Sequence, residues 1–515
     1  MFISPSDAAG LFINAMSSKP KVVVIGAGIA GLSAANKLHK SGQVDVCVLE
    51  ASERVGGRIH TGKLGDNIVE FGAAWIHGTV GNPIFDLACD LKFLHKSDID
   101  KMWVNEDSRV KPQFATSQLR QRIGDQLLTE VWDVFDNLIS ETEDISKMRT
   151  FTESVTGSKM SVGDYLRQGF QCYLDSCTSD TAATKKLKVN LFSFLEEREC
   201  NSSGCNSLRD LNLEDFGEYV YLDGSGFCPI PGGYDRIAKA LAAGLNSDCI
   251  HFEHEVTQIN WLASSESDAT KNHYPVKIIC GNGKTFDADH VIVTVSLGIL
   301  KEQHMKLFSP SLPADKINAI QDLGFGYVGK IFLEFEKPFW PSDEYSLPLI
   351  WEDKKDGKIE AAMENCPWVH RLYSLYTSHP GSNVLFAWFQ GNESRDIESI
   401  PPQEVGQHCL AAIKSCTTLE SLPPIVNVER TQWGINPWTK GSYAFLSKAA
   451  SGSDFDTLAS PLPCESSGDK EVPALQLMFV GEATHRQFYG TVHGAYLTGV
   501  REAERLLKHL IQIPL

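Results

Sequence analysis

A short apolar run at residues 21–25 breaks into Gly26-Ala27-Gly28-Ile29-Ala30-Gly31, and this junction constrains the chain more than any other segment. The run is β-branched, as suits a strand buried on both faces. After it, residues 29–40 carry Leu32, Ala35 and Leu38 at helical spacing, and Gly42 stands where a helix C-cap belongs. Residues 44–49 give a second strand pattern, and Glu50 ends it. Strand, G-x-G-x-x-G turn, helix and strand make a β-α-β unit of the kind that binds dinucleotides. In such a unit Gly26 permits the tight turn, Gly28 lets the backbone approach a pyrophosphate, and Gly31 lets helix and strand pack closely, with Ala30 completing the loop. The helix N-terminus stabilises the phosphate charge, and Glu50 accepts hydrogen bonds from a ribose. The pattern does not choose between NAD and FAD.

A chain of 515 residues exceeds the usual single-domain size, so two domains are expected. With 42% hydrophobic and 22% charged residues its composition is that of a globular protein, which excludes a disordered or fibrous one. The formal charge of −18 argues against a nucleic-acid or anionic-membrane partner and is compatible with a cationic ligand. Among the 13 cysteines the nearest couples, Cys172/Cys177 and Cys200/Cys205, are spaced too loosely for common zinc sites; free thiols and no metal are expected. Residues 1–19 read as a flexible tail whose apolar stretch lacks the basic start of a secretory signal. No apolar run reaches the roughly 20 residues that cross a bilayer, so a soluble protein is expected.

Further strands are expected at residues 252–259, 276–280, 290–296 and 477–480, and a helical pattern covers residues 494–509. Residues 82–227 look mainly helical, while 301–443 mix strands such as 330–335 with a helix at 403–415. Beyond the first strand pair, Glu50-Ala51-Ser52-Glu53-Arg54-Val55-Gly56-Gly57-Arg58 adds a glycine turn and two arginines. These suit a second approach to phosphates by backbone and guanidinium groups.

From the glycine loop through this Leu-Glu-Ala-x-x-x-x-Gly-Gly-Arg stretch, the sequence resembles the flavin amine oxidase family. Glu70-Phe71-Gly72-Ala73-Ala74-Trp75-Ile76-His77-Gly78 is similar to the family segment that lines the flavin, and Gly481-Glu482-Ala483-Thr484-His485 to its C-terminal flavin signature. Trp433 with Pro437, and Gly441-Ser442-Tyr443, resemble the late Trp-x-x-x-Pro and Gly-Ser-Tyr elements; Val492-His493-Gly494-Ala495 begins the last helix. The matches stretch from residue 21 to about residue 506. Gly81-Asn82-Pro83, Ser296 and Lys330-Ile331-Phe332-Leu333-Glu334-Phe335 look like the animal polyamine oxidase branch, which includes spermine oxidases and N1-acetylpolyamine oxidases.

The resemblance implies an α/β fold of amine oxidase architecture. An FAD-binding Rossmann-like domain would come from residues 20–81, 229–300 and 444–515, and a discontinuous α+β substrate-binding domain from residues 82–228 and 301–443. It implies FAD held by Gly26, Gly28, Ala30, Gly31, Glu50, Ala51, Gly57, Arg58, Gly72, Ala73, Ala74, Trp75, Val256, Trp433, Gly481, Glu482, Thr491 and Val492. Monoamine oxidases bond their flavin to a cysteine beside the late aromatic segment, and residues 439–443 contain none, so the FAD is expected to be non-covalent.

Such an enzyme oxidises a polyamine with O2, giving a shorter amine, an aminoaldehyde and H2O2. Lys330 resembles the family lysine that holds a water beside flavin N5. His77 is the candidate to orient or deprotonate the substrate, and Tyr443 supplies an aromatic wall that disfavours a cationic amine by desolvation. Where related oxidases have a second tyrosine wall, Thr491 stands here. Glu196 and Glu199, with Glu197, Asp215 and Glu218 nearby, are candidates to bind the distal cations. A monomeric, cytoplasmic enzyme is expected, because the terminal Ile513-Pro514-Leu515 lacks the small-basic-Leu peroxisomal form. Histone-lysine demethylases share the flavin motifs but add a helical module and a hairpin insertion for which 515 residues leave no room. An L-amino-acid oxidase would need an arginine for the substrate carboxylate, and a non-catalytic flavin-binding module would be expected to have lost Lys330 or the late aromatic residues.

Overall fold

The computed structural model describes residues 19–96, 123–149, 160–262, 274–340, 346–351, 366–417, 419, 421–464 and 473–512. The expected tail up to residue 18, and residues 513–515, lie outside them.

Lys21–Ile25 is the middle strand of a five-stranded parallel sheet in the order Leu477–Phe479, His290–Val293, Lys21–Ile25, Asp45–Leu49, Ile250–His251. Val22 and Val24 pack into a core with the helix Ile29–Ser41, while Val23 and Ile25 face a second core with Leu297, Leu300 and Phe455. That two-sided burial explains the unbroken apolar run. Helix Ile29–Ser41 ends at Gly42, whose φ of 65° closes it with a left-handed turn.

The last helix, Val492–Gln512, lies against Ile29–Ser41. Their approach is close: a Cβ on Gly499 would stand 2.1 Å from the Ala30 carbonyl oxygen, and Ser33 Oγ donates to the Tyr496 carbonyl at 2.9 Å. The end of the chain therefore covers the helix that begins at its glycine loop.

Three expected boundaries differ. The strand expected at 252–259 begins only at Val256: Val256–Asn260 pairs with Phe308–Ser309 and Val276–Cys280, while Ile250–His251, just ahead of the expected range, joins the parallel sheet. The chain turns between them at Glu253, with φ 59°, where Glu253 N–H donates to Ser52 and His254 N–H to Glu50. The pattern at 290–296 stops at Val293, because Ser296 caps the helix Leu297–Leu307 by accepting from the Ile299 amide. The final helix starts at Val492, ahead of the apolar pattern at 494–509 but where the resemblance places its start, and Thr491 caps it.

The second body is built on a five-stranded antiparallel sheet in the order Ser346–Pro348, Ser374–Thr377, Val384–Gln390, Val328–Phe335, Ile425–Arg430. Val328–Phe335 is buried at every position: Ile331 and Leu333 pack on the core that includes helix Pro402–Cys416, and Phe332 packs on Phe71 from the other face. Helices Asp125–Arg149, Val162–Ser176 and Ala182–Ser203 form a further layer, as the helical reading of this region expected. Among the described residues no helix is long and apolar enough to cross a membrane.

Gly499→Val should destabilise the protein by about 1–3 kcal/mol through overpacking. Calorimetry would register this as a lower melting temperature; an unchanged one would mean that the two helices can separate without cost.

Candidate functional site

The parallel strands and the antiparallel sheet border one cavity of about 1140 Å3. At its first end lies the glycine loop. A Cβ on Gly26 would stand 2.4 Å from Thr294 Oγ1, and one on Gly31 would stand 2.0 Å from the Gly26 carbonyl oxygen, whereas Gly28 has no heavy atom within 4 Å on that side. Gly28 is thus open to the cavity, Gly57 faces it with a Cβ position 3.4 Å from Gly28 Cα, and the two glycine turns make a cradle that fits a pyrophosphate. Glu50 Oε1 accepts from the Ser52 amide and hydroxyl at 2.9 and 2.6 Å, and Oε2 from the Ala27 amide at 2.7 Å. One lone pair of Oε2 then remains for a ribose hydroxyl.

The arginines behave differently from the expected phosphate clamp. Arg54 donates to the carbonyls of Val55, Gly57 and Ile59, bracing its own turn. Arg58 donates through Nη1 to the Ser442 carbonyl at 2.6 Å and to Glu482 Oε1 at 2.7 Å. Arg54 is thus largely committed to its own turn, whereas Arg58 uses Nη1 for these bonds and still lines the cavity.

Glu482 Oε2 accepts from the amides of Gly490 at 2.8 Å and Ala444 at 3.2 Å. Gly490 leads into Thr491, whose hydroxyl donates to the Phe488 carbonyl and accepts from the Gly494 amide. Thr491 therefore serves as a helix cap whose hydroxyl is already engaged, and Val492 stands on the cavity wall at the positive end of the helix dipole. Of the proposed cofactor residues only Gly31 is off the wall, beneath the loop where closeness is needed; Ala30, Ala51, Gly72, Ala73, Ala74, Val256, Trp433 and Gly481 all line it.

Lys330 enters the cavity from the buried strand Val328–Phe335 and is 3% exposed. Its Nζ donates to the carbonyls of Glu70 and Gly72, at 2.7 Å each, and lies 4.5 Å from the Trp388 ring centroid and 5.9 Å from that of Trp75. Burial pushes the lysine well below its ordinary pKa, and burial pushes the Glu70 carboxyl up. Trp75, Trp388 and Phe386 form a mutual cluster with centroids 6.0–6.4 Å apart.

His77 presents its ring to the cavity, and its Nδ1 donates to the Gly226 carbonyl at 2.9 Å. That bond leaves Nε2 as the acceptor; the ring is exposed toward the cavity, and desolvation by the protein around it lowers its pKa from the ordinary value. Tyr443 donates to the Asn201 carbonyl at 2.6 Å, which fixes the ring as a wall; Gly204 leaves room for it, since a Cβ there would reach 2.4 Å from the ring.

The acidic candidates separate. Glu199 lines the cavity, but Glu196 does not: Arg167 holds both its oxygens, at 2.8 and 3.1 Å. Glu197 is bound by Arg371 and Gln390, and Glu218 by Arg486. In their place helix Asp125–Arg149 turns Asp125, Thr129, Trp132, Asp136 and Glu143 to the wall. Sequence reasoning missed this face, although the spacing of these residues follows one side of a helix.

A dinucleotide cradle that shares its cavity with a buried lysine and aromatic walls defines a flavoprotein oxidoreductase site, and sequence comparisons agree. The family model described as flavin containing amine oxidoreductase matches residues 29–507. The peroxisomal N(1)-acetyl-spermine/spermidine oxidase of Bos taurus is 36% identical over 97% of this chain and 97% of its own; the Homo sapiens protein of that name is 36% identical over 95% of each. Probable polyamine oxidase 5 of Arabidopsis thaliana is 32% identical over 96% of this chain and 99% of its own. The chain belongs to the flavin-containing amine oxidoreductase family.

Glu482→Gln should leave the Arg58 guanidinium, 27% exposed, without its charge partner, at a cost of about 2–3 kcal/mol. The ratio of flavin to protein absorbance in the purified variant should fall with the melting temperature. If neither changes, Glu482 does not organise the site.

Proposed function

We propose that the chain is a polyamine oxidase that binds FAD without a covalent bond and oxidises spermine or an N1-acetylated polyamine with O2. The observation that carries this reading is one cavity joining the glycine cradle, the buried Lys330 and an acidic helix face. Relatives over nearly the whole chain, named as acting on acetylated polyamines, support it. Bound in this cavity, FAD would supply the acceptor for the hydride equivalent and pass electrons to O2.

The chain's own groups supply binding and proton control. Two of the three Lys330 N–H bonds go to carbonyls, and the remaining position serves to hold a water at the wall. The neutral His77, with Nε2 as acceptor, takes a hydrogen bond or proton from the amine. The Trp75, Trp388 and Tyr443 rings exclude water, so the reacting nitrogen is held neutral. Glu199, Asp136 and Glu143 offer charge-assisted hydrogen bonds to the distal ammonium groups. We also assign residues 20–81, 229–300 and 444–515 to the FAD domain and 82–228 with 301–443 to the substrate domain, because the strands of the parallel sheet fall in the first set. The bovine and human relatives are named peroxisomal, so imaging of the intact chain decides between that setting and a cytoplasmic one.

No cysteine is found among the described residues that line the cavity, which favours non-covalent FAD. Acid precipitation should release a yellow supernatant with the spectrum of free FAD; flavin that stays in the pellet contradicts it. For the substrate, Glu199→Gln with Asp136→Asn should raise the Michaelis constant for spermine more than for N1-acetylspermine, because acetylation already removes one cationic end. The spermine constant should also rise with added salt. Equal effects on both substrates would remove these carboxylates from amine recognition, and faster turnover of benzylamine than of any polyamine would remove the polyamine assignment.

A further inference from the structure

Glu70 lies behind Lys330 and takes no part in the chemistry described so far. Its carbonyl is one of the two that hold Lys330 Nζ, and its side chain runs the other way, into the protein. There Oε1 accepts from the Tyr234 amide at 2.7 Å and Oε2 from Thr61 Oγ1 at 2.8 Å. Thr61 is itself held, because its hydroxyl accepts from the Asp235 amide at 3.1 Å and Gly233 packs against it so closely that a Cβ would come within 2.4 Å. Tyr234 is buried beside it. A carboxylate fixed in this way cannot swing out to solvent.

The charges around the pair are few. Among the described residues Glu70 is the carboxylate whose field reaches Lys330, and the rings of Trp388 and Trp75 present their faces from the other side. Asp235 acts on Glu70 and is paired with Lys239 at 2.6 Å; Arg54 and His60 lie in its field, and His60 borders segment 70–72, its carbonyl accepting from the Phe71 and Gly72 amides and its ring packing on Phe71 at 5.2 Å. A buried ammonium with two carbonyls and no carboxylate in contact depends on more distant negative charge to remain protonated.

We propose that Glu70 is a positioning residue: its carboxylate anchors segment 70–72 as a carbonyl cage around Lys330 and keeps that side chain charged at the cavity wall. The proposal rests on Lys330 acting beside the flavin. Removing the negative charge favours the neutral amine, so the lysine proton should leave at lower pH.

The test uses flavin-loaded enzyme with Glu70→Gln, Glu70→Asp and Lys330→Met. Flavin reduction by amine is followed against pH in stopped flow, and the absorbance of the resting flavin is titrated without amine. Lys330→Met should slow reduction or reoxidation at least about tenfold, which is about 1.4 kcal/mol, and remove one inflection from both titrations. In Glu70→Gln, whose amide can keep the Tyr234 and Thr61 contacts, that inflection should move down by about one pH unit; Glu70→Asp, which retains the charge, should bring it back. An inflection unmoved in Glu70→Gln overturns the proposal, as does loss of flavin in both Glu70 variants without a shift. Wild-type behaviour of Lys330→Met would instead remove the role of Lys330, and the proposal with it.

Discussion

The Glu482 carboxylate takes Arg58 on one oxygen and the amides of Gly490 and Ala444 on the other, and these three partners come from segments far apart in sequence. Arg58 ends the second glycine turn, Ala444 follows the aromatic wall of Tyr443, and Gly490 precedes the cap of the last helix. The first two of these stretches have no long strand or helix of their own to set their position, whereas the third is tied to the helix Val492–Gln512. A buried carboxylate with charged and amide donors on both oxygens is strongly directional, because leaving any of them unpaired in a low-dielectric interior is costly. Cradle, wall and helix terminus are therefore held in register by one side chain.

Three buried lysines show how differently the protein treats an interior cation. Lys188 is matched by Glu130 and Asp180, each at 2.8 Å, which leaves it a structural ion pair. Lys316 donates to the carbonyls of Thr457, Leu458 and Ser460, so all three of its N–H bonds are satisfied at the end of helix Gly452–Ala459. Lys330 is given two carbonyls and an aromatic face, and of the three it is the one that lines the cavity. Incomplete satisfaction next to open space is what sets Lys330 apart from the other two, and the proposed role uses that difference.

Much of this was legible in the sequence where backbone geometry demands particular residues. Gly26 and Gly31 sit where a Cβ would collide, and Gly42 closes its helix in a left-handed turn that glycine favours, so the β-α-β unit could be placed almost to the residue. The turn at Glu253 was not legible, because no glycine or proline marks it and the Glu253 and His254 amides that fix it bond to Ser52 and Glu50, about 200 residues earlier. Nor could Arg58 be assigned, since its partners lie 384 and 424 residues further on. Glu196 and Glu199 look alike in sequence; the difference is Arg167, supplied by a neighbouring helix. The Asp125–Arg149 face became meaningful only once the cavity fixed which side of the helix looks inward.

The order of strands in the parallel sheet has a consequence for how the protein is made. Lys21–Ile25 can pair with Asp45–Leu49 as soon as both leave the ribosome, but its other neighbour, His290–Val293, emerges about 240 residues later, and Leu477–Phe479 later still. Until then the nascent chain carries a long-lived open strand edge, the kind that pairs with the wrong partner. The segments contributed by Glu482 and Thr491 follow His290–Val293 by about 190 residues, so a growing chain that has not reached them holds only half a cradle. A polypeptide broken off before these segments lacks one wall of the cavity altogether, and whatever that cavity encloses has to wait for them.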